Sequence, residues 1–132
     1  MTVHHIGYLV KNMEKARDAL EALGFSTEQD VVFDEFRGID ISFYIKDGYR
    51  VELISPKTEE SVVSGLMKRI GNSPYHLCYS SEDFDNDVAE LRSKGYMPMD
   101  KPTPAPALQG KRVTFLMHRN LGIIEILDKG KE

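Results

Sequence analysis

Residues 2–26, "TVHHIGYLVKNMEKARDALEALGFS", and residues 73–97, "SPYHLCYSSEDFDNDVAELRSKGYM", align without a gap when His76 is laid on His5. Tyr79 then falls on Tyr8, Leu91 on Leu20, Gly95 on Gly24 and Tyr96 on Phe25. An internal match of this kind constrains the fold more than any local propensity, because both copies must build the same unit. The 132 residues suffice for two fused half-modules.

Each copy reads as strand, helix, then three strands. Residues 3–10 alternate as a strand. Asn12 is placed to cap a helix carrying Met13, Ala16, Leu20 and Leu23 at helical spacing, and Gly24 ends it. Residues 26–33 and 38–46 are expected strands. The "DG" at 47–48 is a hairpin signal, and 49–55 is the returning strand before Pro56. Residues 59–71, with Val62, Val63, Leu66, Met67 and Ile70 on one face, read as an amphipathic connector helix. The pattern then restarts: strand 74–80, helix 82–94 stopped by Gly95, and a final hairpin of 111–118 and 122–127. The proline-containing "KPTPAPALQGK" before that hairpin has room only for a short or edge strand. The expected organisation is a first βαβββ module (1–57), a connector (58–72) and a second βαβββ module (73–132), forming one α+β structural domain.

Composition bounds the function. Hydrophobic residues make up 41% and charged residues 29%, the range of a globular chain. No run of 18 apolar residues offers a membrane span. "MTVHHIGYLV" lacks the basic segment of a secretory signal, and the single Cys78 has no internal disulfide partner, so a cytoplasmic location is expected. A net charge of −4 argues against nucleic acid as a partner.

Alternation assigns faces. Ile39, Ile41, Phe43 and Ile45 are expected to pack on the helix of their half, leaving Asp40, Ser42 and Tyr44 on the cleft side. Ile6, Tyr8 and Val10 are expected toward the helix, with Val3, His5 and Gly7 opposite. In the second half Leu77 and Tyr79 face the helix and His76, Cys78 and Ser80 the cleft. Arg50, Glu52, Arg112 and Thr114 are expected on the cleft side, which would be small and polar. His4 and His118 are expected at the surface, and Cys78 as a cleft wall.

Glu52 and Glu125 sit inside apolar runs, "VELI" and "IIEIL", 47 residues after His5 and 49 after His76. A carboxylate inside an apolar strand is costly unless paired or bound to a metal. A lone strand histidine is ordinarily structural, and Glu125 alone could face solvent on an edge strand. Four such residues sharing one internal symmetry point instead to a ligand set. Imidazole and carboxylate suit Zn²⁺, Ni²⁺, Co²⁺, Mn²⁺ or Fe²⁺. Arg50 and Arg112 are candidates to hold a substrate carboxylate or phosphate, with surface ion pairs as the alternative.

The paired halves and the set His5, Glu52, His76, Glu125 resemble the vicinal oxygen chelate superfamily, which includes glyoxalase I, methylmalonyl-CoA epimerase, extradiol dioxygenases and bleomycin-binding resistance proteins. "HIGYLVKNMEKA", "VELISP", "SVVSGLMKRIGNSPYHLCY", "KRVTFLMH" and "GIIEIL" are most similar to the epimerases; the turn "HRNLG" is shorter than theirs. The resemblance implies an eight-stranded open cup around one divalent ion (Zn, Ni, Co or Mn) held by those four residues. It also implies proton transfer beside a carbonyl through an enolate, with Glu125 as ligand and base in turn and Glu52 or Asp40 as further candidate carboxylates. The implied activity is an epimerase acting on an acyl thioester. The alternatives are a lactoylglutathione lyase acting on a glutathione hemithioacetal and a non-catalytic binding or resistance protein. The native metal and the oligomeric state stay open, a homodimer included.

Overall fold

The computed structural model describes residues 1–130. Among them are nine strands, three α-helices and one 3₁₀ turn. The described residues fold as two compact units, one of residues 5–75 and one of residues 1–4 with 76–130.

In the 5–75 unit the strands are β1 (Thr2–Leu9, whose first residues belong to the other unit), β2 (Ser26–Asp34), β3 (Ile39–Lys46) and β4 (Tyr49–Pro56). Helix α1 (Met13–Ala22) links β1 to β2, and α2 (Ser64–Ile70) follows β4. β1 runs parallel to β4, β4 antiparallel to β3, and β3 antiparallel to β2. A right-handed crossover is the ordinary way to join parallel strands through a helix, and it leaves α1 on one face of the sheet. There Met13, Ala16, Leu20 and Phe25 pack on Val10, Tyr44, Val51 and Leu53.

The other unit repeats the plan with β5 (Ser73–Ser81, whose first three residues belong to the 5–75 unit), α3 (Phe84–Ser93), β6 (Met97–Pro98), β7 (Thr103–Ala105), β8 (Lys111–His118) and β9 (Gly122–Asp128). β5 is parallel to β9, β9 antiparallel to β8, and both β6 and β7 pair with β8. On the α3 face Tyr79, Val88, Leu91 and Tyr96 pack on Phe84, Leu116, Ile124 and Ile126.

The repeat extends to atomic detail. Both helices span ten residues at the same offset from their histidine. Each ends in a glycine at φ 96°, a conformation that penalises any Cβ. Gly24 N–H donates to Glu21 O and Phe25 N–H to Leu20 O; Gly95 and Tyr96 make the same bonds to Arg92 and Leu91. This paired closure is the usual glycine stop of a helix.

Two elements differ from expectation. The second strand of the later half is split into β6 and β7, because Pro102, Pro104 and Pro106 cannot sustain a continuous ladder. The connector helix is shorter than 59–71: Ser61 N–H donates to Thr58 O and Ser64 N–H to Ser61 O, so residues 58–63 form turns, and Val62 is 68% exposed. No helix among the described residues is long and apolar enough to cross a membrane.

Candidate metal centre

In β4 Glu52 stands in register with Gly7 of β1 on one side and Phe43 of β3 on the other. Its carboxylate Oε1 lies 3.2 Å from His5 Nε2. In the second half Glu125 stands in register with Cys78 of β5 and Phe115 of β8, and its Oε1 lies 3.1 Å from His76 Nε2. All four side chains are buried, the two glutamates to 4% exposure. The sequence pairs a histidine and a glutamate twice, and each half brings its own pair together.

Each histidine also meets a phenylalanine edge to face. His5 and Phe43 have ring centroids 5.4 Å apart at 72°, and His76 and Phe115 have 5.3 Å at 90°. The phenylalanines were not read from the sequence as site residues. The hairpin register would have found them: counting outward from Asp47-Gly48 pairs Phe43 with Glu52.

This corrects the face assignment in β3. Tyr44 packs against α1, and Ser42 Oγ lies 3.2 Å from Met13 Sδ and 2.9 Å from Tyr44 Oη, so the polar-looking residues cover the helix. Phe43, and by alternation Ile39, Ile41 and Ile45, share the face of Glu52. Ile39, Ile41, Phe43 and Ile54 are all buried, so the surroundings of the first pair are apolar, not small and polar. The second pair has a similar wall, where Cys78, Val113 and Leu127 pack with Ala105 and Leu108.

The remaining candidates move accordingly. Asp40 lies an odd number of residues from Phe43, hence on the face opposite Glu52, and its Oδ2 is 3.2 Å from Lys57 Nζ. The structure therefore places Asp40 away from the face of the first pair. Arg112 and Thr114 alternate with Phe115 and so face α3 rather than Glu125. Arg112 bonds Asp128 at 2.9 Å, approaches Asp85 and stacks 4.5 Å over the Phe84 ring. Its guanidinium is held above its ordinary value, chiefly by the hydrogen bond to Asp128. Arg50 shares the face of Glu52, and its Nε and Nη2 donate to Glu28 Oε1 and Oε2 at 2.7 and 3.0 Å. Cys78 is fully buried beside Glu125. His118 is half-buried against Tyr96 and accepts Asn120 N–H in the last turn.

The donor chemistry fits a divalent ion. Each pair sets an imidazole nitrogen and a carboxylate oxygen 3.2 or 3.1 Å apart, a spacing that two ligands of one ion can have, in buried surroundings. Residues 4–115 match the model of the Glyoxalase/Bleomycin resistance protein/Dioxygenase superfamily. The chain belongs to this superfamily.

Similar proteins give the fold a wider context. The mitochondrial methylmalonyl-CoA epimerase of Homo sapiens is 25% identical over 122 residues, which is 91% of this chain and 68% of that protein. An uncharacterized protein of Bacillus subtilis (strain 168), YqjC, is 24% identical over 87% of this chain and 81% of its own length. Among solved structures, methylmalonyl-CoA epimerase from Mycobacterium tuberculosis superposes with a TM-score of 0.81 at 21% identity, covering 96% of this chain and 87% of that one. The hypothetical protein BH1468 from Bacillus halodurans C-125 superposes at 0.86 with 19% identity, covering 99% and 96%. These superpositions establish the α+β glyoxalase-like fold.

Proposed function

We propose that His5, Glu52, His76 and Glu125 together hold one divalent cation, and that the protein is an epimerase of the methylmalonyl-CoA epimerase type, acting on a 2-substituted acyl thioester. The observation that carries this is the buried His–Glu pair built twice, once per repeat, with the same atoms facing each other. Two neutral imidazoles and two carboxylates supply a charge of −2, which a divalent cation cancels; without one, four buried polar groups would be a costly set. When bound, the cation supplies Lewis acidity, polarising a substrate carbonyl and acidifying the neighbouring C–H.

Glu125 takes the α-proton on its carboxylate and the C–H electron pair moves toward the carbonyl. Inversion needs a proton on the opposite face: Glu52, once it has taken a proton from water, delivers it there, and Glu125 afterwards releases the proton it took to solvent. The apolar walls around both pairs exclude water, which strengthens the electrostatic contacts that stabilise developing charge.

Relatives named as methylmalonyl-CoA epimerases recur in both the sequence and the structure comparisons, which favours epimerisation over the lyase reaction. The test is proton exchange followed by NMR in D₂O, with methylmalonyl-CoA and the methylglyoxal–glutathione adduct offered in parallel. Exchange of the α-proton of the acyl-CoA supports the epimerase. Conversion of the adduct alone would move the assignment to the lyase. No exchange with either by the metal-loaded protein would leave a binding protein.

A further inference from the structure

In each half the face bearing the glutamate carries one aromatic residue in the same place, and the proposed proton transfer makes no use of it. Phe43 is the cross-strand neighbour of Glu52 and meets His5 edge-on; Phe115 is the cross-strand neighbour of Glu125 and meets His76 edge-on. An imidazole on a strand can turn about its two side-chain torsions, and only one orientation aims Nε2 at the glutamate. An aromatic ring packed in the T-shaped arrangement restricts that turning, because aromatic pairs favour such tilted contacts over others. We propose that Phe43 and Phe115 are positioning residues that fix His5 and His76 with Nε2 directed at the metal. This rests on the proposed metal centre and names what keeps it preorganised.

The two supports are not equal. Phe43 is sealed, at 2% exposure, whereas Phe115 is only partly buried. Phe115 is held through its backbone instead: its N–H donates to Asp100 Oδ1 at 3.0 Å, and its carbonyl accepts Met99 N–H at 2.9 Å. Thr114 Oγ1 donates to the same Asp100 oxygen. The segment before β7 thus pins the strand that carries Phe115. Phe43 is thus the more enclosed of the two supports.

The experiment uses Phe43→Leu and Phe115→Leu, which keep an apolar group and remove the ring, with Phe84→Leu as a control. Phe84 is a buried core residue on the α3 face, so its loss destabilises without touching either histidine. Co²⁺ binding by calorimetry and the visible spectrum of the Co²⁺-loaded protein are read alongside thermal melts. Positioning predicts roughly 10-fold or greater loss of Co²⁺ affinity and a shifted spectrum in both site variants, and neither change in Phe84→Leu. Should a leucine variant fail to fold, Phe43→Met and Phe115→Met carry the same comparison. If the unaltered protein binds Co²⁺ stoichiometrically and the site variants match it in affinity and spectrum, the positioning role is overturned and the metal centre stands. If the unaltered protein binds no Co²⁺, Zn²⁺, Ni²⁺ or Mn²⁺, both fall.

Discussion

His76 Nε2 lies 3.1 Å from Glu125 Oε1, the same contact, atom for atom, that His5 makes with Glu52 at 3.2 Å in the other half. Both pairs are buried between strands rich in isoleucine, leucine and phenylalanine. A carboxylate buried in such a place is costly unless it is well paired or bound to a metal. The divalent cation proposed above would change that balance.

Metal affinity is therefore expected to depend on every member of the set. His5→Ala and His76→Ala should each weaken binding strongly, as measured by calorimetry and elemental analysis, because each removes a proposed ligand. Tight stoichiometric binding that survives both substitutions would place any metal elsewhere.

Glu125→Gln separates ligation from proton transfer. An amide oxygen can still bind a cation, but the amide cannot accept the α-proton. Metal content should largely survive while turnover falls roughly 10²–10⁴-fold, the usual worth of a general base. Near-normal turnover would transfer the role of base to Glu52.

Two ion pairs should differ sharply in worth. Asp34 is fully buried; its Oδ1 accepts Arg37 N–H and its Oδ2 accepts Nη1 at 2.7 Å. Asp34→Ala leaves a buried guanidinium and should cost about 3–5 kcal/mol in denaturant melts. Arg50 and Glu28 are each about one-third exposed, so Arg50→Ala should cost no more than ~1 kcal/mol. Equal costs would contradict the burial argument.

Arg112 belongs to the α3 face, so Arg112→Ala should leave KM for an acyl-CoA unchanged while lowering the melting temperature. Its guanidinium is raised above its ordinary value, chiefly by the hydrogen bond to Asp128. A raised cation contributes stability fully below its unfolded value and loses it only as pH climbs through the folded one. Both lie far above neutrality, so substituting Arg112 should leave the shape of the stability curve unchanged across the neutral range. A rise in KM would return Arg112 to the substrate.

The repeat made much of this fold legible in sequence. His5 and His76 align without a gap, and the glycines that stop α1 and α3 align with them, so two matching units followed directly. The glutamates stood out because a carboxylate in "VELI" or "IIEIL" violates the alternation around it. What alternation could not convey was which face of β3 meets the helix. That inference assumes one wet face, but Ser42 and Tyr44 are as buried as Ile41 and Phe43. When both faces are covered, apolar character no longer points to the helix. Tyr44 supplies a core ring and satisfies its hydroxyl on Ser42, so it passes for polar in sequence and behaves as core in space. The misassigned face of β3 carried Asp40 with it; Arg112 and Thr114 were placed wrongly on β8, where they alternate with Phe115.

The most direct measurement of the central claim is α-proton exchange of methylmalonyl-CoA in D₂O, followed by NMR, with the protein metal-stripped, reloaded with Co²⁺, and reloaded after Glu125→Gln. The expected result is rapid exchange with inversion in the reloaded protein, baseline exchange in the stripped protein, and a loss of roughly 10²-fold or more in Glu125→Gln. Exchange that proceeds equally well in the stripped protein or in Glu125→Gln would contradict a metal-assisted proton transfer built on the twin His–Glu pairs.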